Sequence, residues 1–157
     1  MIKALVSDFS RVILSPIDNN YAGSLNDLYK KLTAQGNYDF WKYFQVNQNL
    51  LTFYKTISKQ IDIYIFTTEY IQDHPALQPK IESIFKYIFS SARLGLKKTD
   101  PQAYQTIIKG IWLKSKEVLY IDDNPANIDA AKKAGLVAIH YESNDQAIKD
   151  ISKMLKK

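Results

Sequence analysis

The sequence has no cysteine, which excludes disulfides, thiolate metal sites and cysteine nucleophiles and fits a reducing compartment. Glycine and proline are sparse, five of each, and so scattered that no linker, low-complexity segment or repeat stands out. The glycines at 23, 36, 95, 110 and 135 make neither a G-x-G-x-x-G nor a G-x-x-x-x-G-K loop, so dinucleotide and P-loop nucleotide readings lose their main support. Long hydrophobic runs are missing too. No apolar stretch reaches the roughly 18 residues of a membrane span, and the run after Met1 meets Asp8 too early for a signal peptide. The expectation is a cytoplasmic protein with no membrane partner. Histidine is rare: His74 and His140 lie at no zinc-ligand spacing to another histidine or an acid.

What remains is an ordinary globular composition of 157 residues, 46% hydrophobic and 24% charged. That length suits a single domain, residues 1–157, carrying at most a small insertion. Lysine and arginine outnumber acids 21 to 16. Part of the excess is the tail, Lys149, Lys153, Lys156 and Lys157, where cations suit the negative end of a helix dipole. The basic residues do not cluster among exposed aromatics, so no nucleic-acid partner is expected.

Short apolar runs alternate with longer amphipathic segments. Ile2–Val6, Ile61–Phe66, Tyr87–Phe89, Val118–Ile121 and Val137–Ile139 read as strands buried on both faces. Between them, helix starts are marked by Ser24, Asn47, Thr99 with Gln102, Asn124 before Pro125, and Ser143 with Gln146. Gly36 and Gly135 stand where a helix can end. This β-α-β-α alternation predicts an open parallel α/β sheet with helices on both faces. Ligands of such sheets bind beyond the carboxyl ends of the strands.

The residues at those ends carry chemistry. Asp8-Phe9-Ser10-Arg11 follows the first run, Thr67-Thr68 the second, Ser90-Ser91 and then Lys97-Lys98 the third, and Asp122-Asp123-Asn124 the fourth. Asp8 and Asp123, from different strands, suit a shared hard cation such as Mg²⁺. Thr67 and Lys98 suit a phosphate, one by hydrogen bond and the other as a point charge. Asp8 is then a carboxylate nucleophile.

These segments resemble the motifs of the haloacid dehalogenase-like (HAD) superfamily. LVSDFSRVI looks like the first motif, IYIFTT the second and LGLKKTDPQAY the third, which singles out Lys98 over Lys97. VLYIDDNPANIDAAKKAGLVAIHY is the most specific match, to the fourth. The resemblance implies a three-layer α/β/α Rossmann-like sheet with a small helical cap insertion, and a Mg²⁺-dependent phosphatase working through an aspartyl-phosphate. It assigns Asp8 as nucleophile and metal ligand, Ser10 as a backbone metal ligand, and Thr67, Thr68 and Lys98 as the phosphate-holding positions. Asp123 becomes the fourth-motif metal ligand, supported by Asp122. Asn127 stands at a position often acidic in the family.

Two departures qualify the implied activity. Ser10 stands where the family's phosphatases carry an aspartate that acts as general acid and base. An alcohol cannot do this near neutral pH, and losing such a group costs about 10²–10⁴-fold in rate. Arg11 stands where the motif usually has glycine. The chain between the first and second motifs is also short: about residues 13–46 remain for a cap, fitting a turn and one or two short helices. This insertion contains five aromatics within Tyr38–Phe44, which either pack onto the core or form an exposed patch for a substrate ring or for the second subunit of a homodimer.

Two functions therefore fit. One is a HAD-like hydrolase of a small phosphorylated substrate. The other is a catalytically degenerate member that binds a phosphorylated ligand or a protein partner. A dehalogenase-type reaction fits less well, because its cap arginines and aromatics need a fuller insertion.

Overall fold

The structure, a computed structural model, describes residues 1–156. Its strands are β1 (Ala4–Ser7), β2 (Leu14–Pro16), β3 (Phe44–Val46), β4 (Asp62–Thr67), β5 (Tyr87–Ser90), β6 (Val118–Asp122) and β7 (Val137–His140). The helices are α1 (Leu25–Ala34), α2 (Gln48–Ile57), α3 (Gln78–Ile81), α4 (Ser91–Leu94), α5 (Pro101–Gly110), α6 (Pro125–Lys133) and α7 (Asn144–Leu155). The five apolar runs of the sequence become one sheet in the order β5-β4-β1-β6-β7, with every neighbouring pair parallel.

Alternation along the strands explains the layers. Leu5, Ile63, Ile65, Leu119 and Ile121 pack on one side with Leu50, Tyr54 and Ile57 of α2 and Ala147 and Ile151 of α7. Val6, Phe66, Val118 and Tyr120 pack on the other with Tyr104 and Ile107 of α5 and Ile128 and Ala131 of α6. Successive strand residues point to opposite faces, so apolar residues at consecutive positions mean both faces are covered. The result is a three-layer α/β/α Rossmann-like fold.

The helices begin largely where their caps stand. Ser24, Asn47, Asn124 and Ser143 each accept a backbone N–H from the first turn of their helix. The α5 cap differs from expectation. It is Asp100, not Thr99, that accepts from the Gln102 N–H, with Pro101 as the first helical residue. Proline at that position lacks the N–H that a cap one residue earlier would leave to satisfy.

The insertion also departs from expectation. Besides α1 and a single 3₁₀ turn at Phe40–Lys42, it holds an antiparallel ribbon in which β2 pairs with β3, Leu14 opposite Val46 and Pro16 opposite Phe44. Strands of three residues fall below the length at which alternation is readable, and Pro16 argues against a strand except at an edge. Of the aromatic run, Phe40 and Phe44 are buried while Trp41 and Tyr43 are partly exposed. Phe40 stacks on Phe44 and on His74, at centroid distances of 4.7 and 4.3 Å.

The chain leaves β1 for β4 and β5 on one side, then crosses to β6 and β7 on the other. The reversal falls at β1, which places the crevice at the carboxyl ends of the central strands.

Candidate active site

Asp8 directly follows β1, and its N–H donates to Ile121 O of β6 at 2.8 Å. The chain then turns sharply, with the amides of Ile13 and Leu14 both donating to Phe9 O. This turn places Arg11 at φ +62°, the left-handed region that favours glycine and costs other residues about 1–2 kcal/mol. Arg11 offsets part of that cost. Its Nη2 donates to Tyr21 O at 2.9 Å and to Gly23 O at 2.8 Å, fastening the loop before α1 to the first strand end.

Lys98 reaches the same point from the segment before α5. It is 7% exposed, and its Nζ lies 2.6 Å from Asp8 Oδ1 and 2.7 Å from Asp122 Oδ2. Lys97 is exposed. The aliphatic stem can bury only because the head is paired. The ammonium sits 5.3 Å from the Phe66 ring centroid and 5.9 Å from that of Tyr120. Tyr104 steadies the backbone here, its hydroxyl 2.7 Å from Lys98 O and 3.1 Å from Asn127 O.

The two acids at the end of β6, Asp122 as its last residue and Asp123 just beyond it, divide their tasks. Asp122 is fully buried and saturated: it accepts from the Tyr120 hydroxyl, from Asn124 N–H at 2.8 Å and from Asn127 Nδ2 at 3.1 Å, besides pairing with Lys98. Asp123 is half-buried, and His140 holds its backbone carbonyl through Nε2 at 2.8 Å. Its carboxylate remains available.

The electrostatics follow from the count. Two buried carboxylates, Asp8 and Asp122, share one ammonium, leaving a buried excess of negative charge. Burial, reinforced by Asp122, pushes the Asp8 carboxyl up to about 7 in spite of Lys98. Burial works against the charge on Lys98, yet Asp8 and Asp122 together outweigh it and raise its pKa. Burial also raises Asp123, helped by Asp122 and opposed by Lys98 and Arg11. Oxygens of Asp8, Asp122 and Asp123 lie within 4.8 Å of one another. An all-oxygen donor set with surplus negative charge fits a hard divalent cation.

Asp8, Ser10, Thr68, Lys98, Asp122 and Asp123 thus line one cavity of about 190 Å³. Thr67 does not line it. Thr67 is buried at the end of β4, and its Oγ1 has no hydrogen-bond partner; Thr68, the next residue, is the one on the cavity wall. Ser10 Oγ is likewise buried without a partner.

Sequence reasoning missed several contributors. Tyr120 supports Asp122 from two residues earlier on the same strand face, a period-2 signal that was legible. The fastening role of Arg11 and the arrival of Asn26 of α1 at the cavity wall had no local signature, since both depend on how the insertion folds back.

The profile of the haloacid dehalogenase-like hydrolase family matches residues 16–140. The chain belongs to this family. The match to the family profile starts beyond Asp8, Ser10 and Arg11, so those three are placed by the geometry alone. Among curated proteins, the chain is 27% identical over 73 residues to flavin mononucleotide hydrolase 1 of Arabidopsis thaliana, covering 46% of this chain and 30% of the relative. It is 35% identical over 57 residues to a sesquiterpene phosphatase of Aspergillus oryzae, covering 36% and 29%. The chain therefore spans less than a third of the length of these curated relatives. Among solved structures, a HAD-like family hydrolase from Porphyromonas gingivalis superposes with a TM-score of 0.72 at 16% identity, over 100% of this chain and 99% of that one. A HAD family enzyme from Bacteroides thetaiotaomicron, solved with magnesium and inorganic phosphate, superposes with a TM-score of 0.68 at 13% identity, over 90% and 95%. At these identities the likeness shows the fold.

Proposed function

We propose that this HAD-like hydrolase cleaves phosphate esters with Asp8 as nucleophile. The observation that carries the reading is the Asp8 carboxylate, held against Lys98 at 2.6 Å on the wall of a cavity that Asp123 also lines. In the first step an Asp8 oxygen bonds to phosphorus as the bond to the ester oxygen breaks, giving an aspartyl-phosphate and an alkoxide that takes up a proton. Water then attacks that phosphorus and releases phosphate, restoring the Asp8 carboxylate. Lys98 lowers the repulsion between carboxylate and phosphate. Thr68 offers a hydroxyl at the cavity wall, and Thr67 has an unspent one behind it.

Asp8 and Asp123 are the residues that would hold Mg²⁺, with Asp122 in support and the Ser10 carbonyl a further oxygen. When bound, Mg²⁺ supplies charge neutralisation to the phosphate. The enzyme from Bacteroides thetaiotaomicron that shares the fold was solved with both magnesium and phosphate, which supports the choice of ion. Residues 13–46 act in this reading as a reduced cap that leaves the site open.

Ser10 and the Arg11 fastening favour a second reading, in which the site binds a phosphorylated ligand with little turnover. Apart from Asp8, which this reading spends as the nucleophile, no residue in the first-motif loop can protonate a leaving oxygen near neutral pH. Phosphate release from an aryl phosphate and a metabolite panel, with and without Mg²⁺, separates the two. Turnover that requires Mg²⁺ and disappears in Asp8→Asn establishes the hydrolase. Ligand-dependent stabilisation without phosphate release establishes the binder.

A further inference from the structure

The side chains on the cavity wall decide which proton transfers the site can catalyse. Among the described residues, the ionisable ones that line it are Asp8, Arg11, Lys98, Asp122 and Asp123; the others are alcohols, amides and one leucine. Neither histidine is there. His74 stacks on Phe40 of the insertion, and His140 holds Asp123 O through Nε2.

None of the five is free to give a proton to a departing oxygen. The guanidinium of Arg11 does not deprotonate. Lys98 pairs with Asp8 at 2.6 Å and with Asp122 at 2.7 Å, so losing its proton would leave two buried carboxylates without a counter-charge. Asp122 is fully buried and accepts hydrogen bonds on both oxygens. Asp8 and Asp123 are already committed, one as nucleophile and the other as cation ligand. Ser10 Oγ is buried with no hydrogen-bond partner, so no base stands beside it to relay a proton.

A wall without a proton donor sorts phosphoryl donors by their leaving groups. An alkoxide is about as basic as hydroxide, the conjugate base of water at a pKa of about 15.7. Without general acid catalysis such a donor reacts about 10²–10⁴-fold more slowly. A carboxylate, whose acid has a pKa of about 4, departs unprotonated. We infer that the site takes acyl phosphates, the mixed anhydrides of a carboxylic acid with phosphoric acid, and holds the phosphoryl group on Asp8, a substrate class that rests on the Asp8 reading above and narrows it.

In the first step an Asp8 oxygen bonds to phosphorus, the bond from phosphorus to the donor's carboxyl oxygen breaks, and its electron pair leaves with the carboxylate. No proton moves. One carboxylate replaces another, so the step is reversible. Water then attacks phosphorus, the Asp8 carboxylate is restored, and the protons of the water pass to phosphate and solvent. With no base to draw a proton from that water, this second step is slow and the phosphorylated protein accumulates.

The test incubates the full chain and Mg²⁺ with acetyl phosphate or glycerol 1-phosphate. It follows phosphate release, the mass of the intact protein, and incorporation of labelled acetate into acetyl phosphate. Acetyl phosphate is expected to lead in kcat/KM by at least about 10²-fold, to add one phosphoryl group to the protein and to exchange with labelled acetate, all of which Asp8→Asn abolishes. Ser10→Asp is expected to shrink that lead by at least about tenfold, because an added acid helps the alkyl ester more. Where that variant does not fold, aryl phosphates of increasingly acidic phenols decide on the wild type, which should turn them over faster along the series. Equal kcat/KM for the two donors, a flat aryl series, or phosphate release with no phosphorylated protein overturns the acyl phosphate inference alone. Activity that survives Asp8→Asn, or neither release nor phosphorylation with any donor, overturns the Asp8 reading and this inference with it.

Discussion

Lys98 and Asp8 meet at 2.6 Å although ninety positions separate them in the chain. Both are buried, and Asp122 draws on the same ammonium at 2.7 Å. The pair is therefore a structural tie between the first and third motif segments as well as the floor of the cavity. Asp122 counted with the pair, two carboxylates face one ammonium, and that excess of negative charge is a standing demand for a cation.

Removing the ammonium should be severe. Lys98→Met keeps most of the stem but leaves two buried carboxylates uncompensated, and breaking a buried pair costs about 3–5 kcal/mol. Thermal melts are expected to show a large drop that Mg²⁺ partly restores, because a ligand bound only by the folded state stabilises it. A variant melting with the wild type would mean that the acids are protonated or solvated.

Ser10→Asp restores the carboxyl that the family's phosphatases carry. Ser10 Oγ is buried without a partner, so a polar end at this place breaks no existing bond. Phosphate release is expected to rise by about 10²-fold or more, measured as kcat on an aryl phosphate. An unchanged rate would show that the missing acid is not what limits turnover.

Arg11 combines backbone strain with two carbonyl bonds, and two substitutions separate them. Arg11→Ala keeps the φ of +62° and loses the bonds to Tyr21 and Gly23. Arg11→Gly loses the same bonds but relieves the strain, worth about 1–2 kcal/mol. The glycine variant should melt above the alanine variant, with both showing faster proteolysis near Tyr21. The reverse order of melting would remove the strain from the account.

Stability of the metal-free protein should depend on pH through Asp8. Its carboxyl is raised from 3.8 to about 7 by burial, so between those values the native state holds a proton that the unfolded chain has released. Native stability from this group is thus greatest below the unfolded value and is lost as pH rises towards the native one. Asp8→Asn has no such charge. In a chelator, melting points from about pH 4 to 8 should show the variant gaining on the wild type as pH rises, and Mg²⁺ should close the gap. A difference independent of pH would place the excess charge elsewhere.

Strand positions, most helix starts and the strand-end acids were legible in the linear chain, because each is written in local chemistry: apolar runs, a cap side chain, a proline at a first turn. The choice of Lys98 over Lys97 came from the family resemblance, and burial agrees with it. The ribbon of β2 and β3 was not legible, since three residues are too few for a period to show.

The sequence by itself determined that a parallel sheet would carry Asp8, Lys98, Asp122 and Asp123 at its carboxyl ends, because strand period and topology decide which ends face together. Only the tertiary structure decided that Asp122 is saturated while Asp123 stays open, that Thr68 rather than Thr67 lines the cavity, and that Asn26 of the folded-back insertion joins Arg11 on its wall. Pairing and burial are properties of neighbours, and these neighbours come from distant parts of the chain.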